Sequence, residues 1–171
     1  MKKLTFFTLL LSCFLLSCEK EKLTKVTQIG ANTFSCKVDG KVYVASSELF
    51  SPAFTGGFYN STNNNGSLSL FSTVRSKDNN GYDILIKIPV INRLGIYNLN
   101  SINFNEINPL PITINGNVYS TKNTNIGEVT ITFIDYEKRI LSGTFFFTAI
   151  NTKDNSDQLV VSEGRFDIQT K

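Results

Sequence analysis

The side chains best placed to share acid and base work are Glu163 and Asp167, which flank Gly164-Arg165 near the end of the 171-residue chain. If a bulge at Gly164 re-aims Glu163, the two carboxylates beside Arg165 line a cleft of the kind that paired-carboxylate hydrolysis needs. The plainer reading is a surface ion pair between Arg165 and Asp167, two residues apart on one strand face. Imidazole general acid or base catalysis is excluded, because the sequence contains no histidine. That absence removes Ser-His-Asp and Cys-His nucleophile activation and nearly all zinc and transition-metal sites. A glycine-rich phosphate loop, a Gly-x-Ser-x-Gly elbow and a Cys-x-x-Cys pair are also missing. Calcium needs only oxygen ligands, and Asp78-Asn79-Asn80-Gly81 and Asp154-Asn155-Ser156-Asp157 offer them. Neither run fits the helix-loop-helix calcium pattern, so turn chemistry is expected there, with no metal and no cofactor.

The cysteines divide by position. Lys2 and Lys3 precede an apolar stretch, Leu4 to Leu16, that spans roughly 20 Å as a helix against a hydrocarbon core of about 30 Å. It reads as a secretory signal and not as a permanent anchor. Leu15-Leu16-Ser17-Cys18 then has the order of a bacterial lipobox, two apolar residues, a small one and a cysteine that becomes diacylated after cleavage. Processing at Cys13 instead would strand Phe14-Leu15-Leu16 on the mature end, so Cys18 is the expected lipidation site. Two acyl chains anchor a protein stably without any apolar patch on the domain. Residues 1–17 are thus the signal, 18–30 a flexible tether and 31–171 a single β domain on the cell outer membrane, facing either side. Cys36 is left alone on an alternating strand between Phe34 and Val38, where a small core residue is expected. Without Lys2 and Lys3, 15 Lys and Arg face 14 Asp and Glu, which gives no reason to expect nucleic acid as a partner.

What must position these groups is a set of strands. No window after residue 30 carries a helical period, while β-branched and aromatic residues alternate in short runs between Asn, Gly and Asp clusters. The expected class is all-β, an antiparallel sandwich or flattened barrel of about eight to ten strands joined mainly by hairpins. Leu68-Leu70-Val74 should pair with Ile84-Ile86-Ile88, and Ile112 with Tyr119 around Asn115-Gly116. If Asp135 opposes Arg139, Phe133 faces Leu141 and Val129 faces Phe145. At Asp39-Gly40 a three-residue loop is expected, because it sets Cys36 opposite Val42 and Phe34 opposite Val44 on one apolar face. Leu159 and Val161 hold odd positions and Phe166 and Ile168 even ones, so a bulge is expected near Gly164. The longest irregular stretch, Ser46 to Gly66, carries Phe50, Phe54, Phe58 and Tyr59. As a loop it would either tuck these aromatics against the sheet as a satellite core or close over an apolar small molecule, a glycan or an envelope protein, and the lack of Trp weakens the glycan version.

Thr33-Phe34-Ser35-Cys36-Lys37-Val38-Asp39-Gly40-Lys41-Val42-Tyr43, Gly143-Thr144-Phe145-Phe146-Phe147-Thr148-Ala149 and Glu163-Gly164-Arg165-Phe166-Asp167-Ile168 together resemble a group of small, uncharacterised lipoproteins of Bacteroidota. Glu19-Lys20-Glu21-Lys22 is similar to the acidic, Lys-containing export tags of such lipoproteins, and equally serves as a solvated tether. The resemblance implies a lipobox before one β domain over about residues 30 to 170, and brings no activity or catalytic residue.

Overall fold

The computed structural model describes residues 22–45, 55–62, 65–78, 80–99, 104–109, 117–121 and 126–170. Among them no helix occurs and eleven strands do. They are β1 (Thr33–Val38), β2 (Lys41–Ala45), β3 (Thr55–Thr62), β4 (Asn65–Arg75), β5 (Gly81–Ile91), β6 (Gly95–Asn98), β7 (Phe104–Pro109), β8 (Tyr119–Ser120), β9 (Gly127–Asp135), β10 (Ile140–Asn151) and β11 (Gln158–Gln169). All pairings are antiparallel.

The ladder falls into two broad layers, β6-β9-β10-β11-β1-β2 and β3-β4-β5-β7-β8. Only two residue pairs join them at each corner, Val44 and Ala45 with Arg75 and Val74 on one side, Ile150 and Asn151 with Ser120 and Tyr119 on the other. The result is the expected all-β antiparallel fold, a sandwich or flattened barrel, in which β3 and β6 each pair with one strand among the described residues. Its core is continuous. Phe34, Val129, Phe145, Phe147 and Phe166 from the first layer and Leu68, Leu70, Ile84, Ile86 and Ile88 from the second are all buried in one cluster. The alternating pattern accounts for the β4–β5 pair directly, with Leu68 opposite Ile88 and Leu70 opposite Ile86.

Several registers depart from expectation. The β1–β2 turn has two residues, not three, since Val38 pairs with Lys41 and Cys36 with Tyr43. Asp39 and Gly40 take φ of 48° and 81°, the left-handed pair that a two-residue hairpin turn demands. Asp39 also exchanges two hydrogen bonds with Val160, its N–H reaching the carbonyl and its carboxylate accepting from the Val160 N–H, each at 2.9 Å. Buried Tyr43 therefore faces the core, and Val42 and Val44 stay half-buried on the other face.

On β9–β10, Asp135 faces Ile140 and not Arg139, because the Asp135 carboxylate accepts the Lys138 N–H at 2.9 Å and closes a four-residue turn. A bulge at Thr132 restores Val129 to Phe145 but moves Phe133 opposite Ser142, so that Ile134 packs against the core beside Leu141. The 46–66 stretch is not wholly a loop, for β3 pairs with β4 along its length. Tyr119 pairs with Ile107 and with Asn151, and Ile112, its expected partner, lies outside the described residues.

The slip near Gly164 is as expected. Phe145 opposes Gly164 and Phe147 opposes Val161, with Glu163 at φ 51° in the bulge. Two reciprocal pairs, Gly143 with Phe166 and Gly164 with Phe145, fill this part of the β10–β11 ladder. A Cβ on Gly164 would lie 2.5 Å from the Phe145 ring, so the glycine is what lets that ring lie down on the backbone and reach Phe34, 5.0 Å away between centroids.

Candidate functional site

The bulge and the following residues of β11 present Glu163, Arg165 and Asp167 on the outer side of the first layer. Residues 22–31 run across that side as a strap. Thr24 accepts the Arg165 Nη1 hydrogen bond at its carbonyl (2.9 Å), and its N–H and hydroxyl meet the Ser35 hydroxyl at 3.1 and 2.8 Å. The expected ion pair between Arg165 and Asp167 is not formed, because Arg165 is spent on the strap's carbonyl and Asp167 is sealed beneath the strap, 1% exposed.

Asp167 accepts five hydrogen bonds. Thr27 and Ser142 donate their hydroxyls at 2.6 and 2.7 Å, and Ile29, Gly30 and Ala31 donate successive backbone N–H groups at 3.2, 3.0 and 3.2 Å. Three amides can converge on one carboxylate because Gly30 and Asn32 adopt φ of 73° and 53°, which curls the backbone into an anion-binding nest. Asn32 fastens the curl by accepting the Gln169 N–H at 2.9 Å. Burial works to raise the Asp167 pKa, but the Thr27, Ser142 and backbone donors outweigh it and hold the carboxyl below its ordinary value. A carboxylate so occupied is a clamp and not an acid or base open to substrate.

Glu163 is exposed and paired with Lys37 at 2.5 Å. Together with Glu128, Thr130, Thr144, Phe146 and Arg165 it lines a shallow open depression of about 280 Å³ next to the strap, in which Phe146 is 44% exposed. A smaller gap of about 180 Å³ lies between the strap and β10–β11, bordered by Lys25, Val26, Thr132, Gly143 and Arg165.

The other sequence candidates scatter. Cys18, Phe50 and Phe54 lie outside the described residues. Phe58 and Tyr59 are successive positions of β3, opposite Ser69 and Leu68, and so belong to opposite faces of the sheet. Cys36 is fully buried, and burial pushes its thiol pKa up to about 12, as suits an inert core residue. Asp78 pairs with Lys41, the Asp154 carboxylate accepts from the Ser156 N–H and hydroxyl, and Asp157 accepts from Tyr119 and Asn151 at 2.7 and 2.8 Å. Those carboxylates tie turns together, and among the described residues no three potential ligands gather for a metal.

The class these features define is an antiparallel β domain whose preceding segment is locked onto one of its faces. A family model for a domain of unknown function (DUF6252) matches residues 33–167, and the chain belongs to that family. The match starts at the first residue of β1 and ends at Asp167 itself. No curated protein and no solved structure matches the chain.

Proposed function

We propose that the protein is a lipid-anchored component of the cell envelope, acylated at Cys18 at the outer membrane, whose β domain binds a ligand or another envelope component and does not catalyse. The clamp at Asp167 carries this reading. A flexible tether would need no partners, whereas here the Thr27 hydroxyl and three backbone amides donate to a buried carboxylate and fix residues 27–31 to the domain. Such an investment is understandable if the segment transmits position from an anchored end to the domain.

The paired-carboxylate hydrolase finds no support in the geometry, since Glu163 faces Lys37 in solvent while Asp167 is closed off by the strap. The depression around Phe146, with apolar, cationic and anionic groups together, offers a ligand surface among the described residues. Metabolic labelling with a fatty acid tests the anchor. Label is expected in the wild type and in Cys13→Ala and absent from Cys18→Ala, and label that persists in Cys18→Ala but vanishes in Cys13→Ala overturns the assignment.

A further inference from the structure

The strap inverts the usual order of inside and outside. Its inward positions are Thr24, Thr27 and Gly30, which are half-buried and hydrogen-bonded to Ser35 and Asp167. Leu23 is half-buried too, but the strap's two other large aliphatic side chains, Val26 and Ile29, stand out into solvent. Ile29 is 73% and Val26 68% exposed, more than any other large apolar side chain described, with Lys22 and Lys25 exposed beside them. Polar groups are ordinarily the ones left in water, so a segment that buries threonines and displays Val and Ile is shaped for a second apolar surface. Nor can the segment simply roll over to hide them. The Ile29 N–H is held by Asp167, and the curl at Gly30 and Asn32 fixes the backbone's rotation.

We propose that Val26 and Ile29, flanked by Lys22 and Lys25, form a contact with the lipid surface in which the protein is anchored. This rests on the acylation of Cys18. Val26 is the eighth residue after Cys18 and Ile29 the eleventh. Even fully extended, at about 3.3–3.6 Å per residue, the intervening chain keeps Val26 within roughly 30 Å of the anchor and Ile29 within roughly 40 Å. The headgroup boundary is therefore the apolar surface that the strap meets at the highest local concentration. Lysines flanking aliphatics suit that boundary, since their stems lie along apolar groups while the ammonium reaches phosphate. Val26 also borders the gap between strap and sheet, so contact with lipid would cover the mouth of that gap.

The absence of tryptophan makes the test direct. Val26→Trp, Ile29→Trp and, on the opposite layer, Val90→Trp each give the full-length acylated protein a single reporter. Each is reconstituted into phosphatidylethanolamine–phosphatidylglycerol vesicles with and without brominated acyl chains. The expected result is co-flotation of all three, with quenching and a blue-shifted emission at positions 26 and 29 several-fold larger than at 90. Co-flotation with equal quenching at all three positions overturns the lipid contact and leaves the anchor standing. Protein that does not float overturns both. A blue shift at 26 and 29 that grows with protein concentration in detergent, without quenching by brominated lipid, assigns the stripe to a second copy of the chain and overturns the proposal as well.

Discussion

Replacing Asp167 by asparagine keeps the size of the side chain and removes its charge. In the native arrangement one carboxylate oxygen serves Thr27, Ile29 and Ala31, and the other serves Gly30 and Ser142. The best placement of an asparagine puts its carbonyl toward the first three, so its NH₂ meets the Gly30 N–H head-on while the Ser142 hydroxyl turns to accept. Three charge-assisted bonds become neutral, at about 1 kcal/mol each, and one buried amide loses its acceptor, at about 1–3 kcal/mol. Allowing for non-additivity, Asp167→Asn should cost about 3–5 kcal/mol, a large part of a typical domain's stability of about 5–15 kcal/mol.

Urea midpoints of the purified protein measure this directly. The pH dependence supplies a second check. Because the folded pKa is depressed, the carboxylate's contribution is complete above the unfolded value of about 3.9 and is lost as pH falls through the lower folded value. The gap between wild type and Asp167→Asn should thus be constant from pH 7 to 5 and narrow steadily below about pH 4. Asp78, Asp135 and Asp154, whose carboxyls are also held low, respond alike in both proteins and cancel from the difference. A cost under about 0.5 kcal/mol at pH 7, the range of an ordinary surface substitution, would refute the clamp.

Gly164→Ala should lower the urea midpoint by about 1–3 kcal/mol in stability, because its Cβ would sit 2.5 Å from the Phe145 ring and overpack it. Gly143→Ala should cost more, since the Cβ there would lie 2.3 Å from the Thr130 carbonyl oxygen, backbone that cannot shift without parting β9 from β10; a larger loss for Gly164→Ala would reverse that ranking. Gly40→Val should cost on the order of 1 kcal/mol or more by the same measurement, although open space surrounds its Cβ, because φ of 81° is hostile to a β-branched residue; a wild-type midpoint would show that the turn readily reshapes.

What the sequence disclosed was what period-2 alternation and a change of parity can carry. Leu68 and Leu70 against Ile86 and Ile88 follow from alternation, and the bulge at Glu163 from the odd-to-even switch between Val161 and Phe166. Alternation misled where two phases were both plausible. Val42 and Val44 are more apolar than Lys41 and Tyr43, yet the turn chemistry of Asp39-Gly40 and its stitching to Val160 decided the register. Gly56, Gly57 and Asn60 are poor strand formers, and β3 exists because β4 offers it a long edge, a tertiary effect that local propensity does not contain. The clamp was hidden for another reason. Asp167 stands between buried Phe166 and Ile168, a place where a carboxylate needs partners, but apart from Ser142 those partners lie more than 130 residues earlier in the chain and show themselves only through the fold.

The clamp also determines how the domain would bear a mechanical load. A pull on the N-terminal end enters through the strap, and without Asp167 it would fall on β1, six residues long, and unzip it from Thr33 onward. Beyond the Thr24 contact with Ser35 on β1, the Arg165 bond to the Thr24 carbonyl and the clamp deliver the force into β11. That strand is twelve residues long and bonded along one edge to β1 and along the other to nearly the whole of β10. Tension applied there would have to shear two ladders at once instead of peeling one.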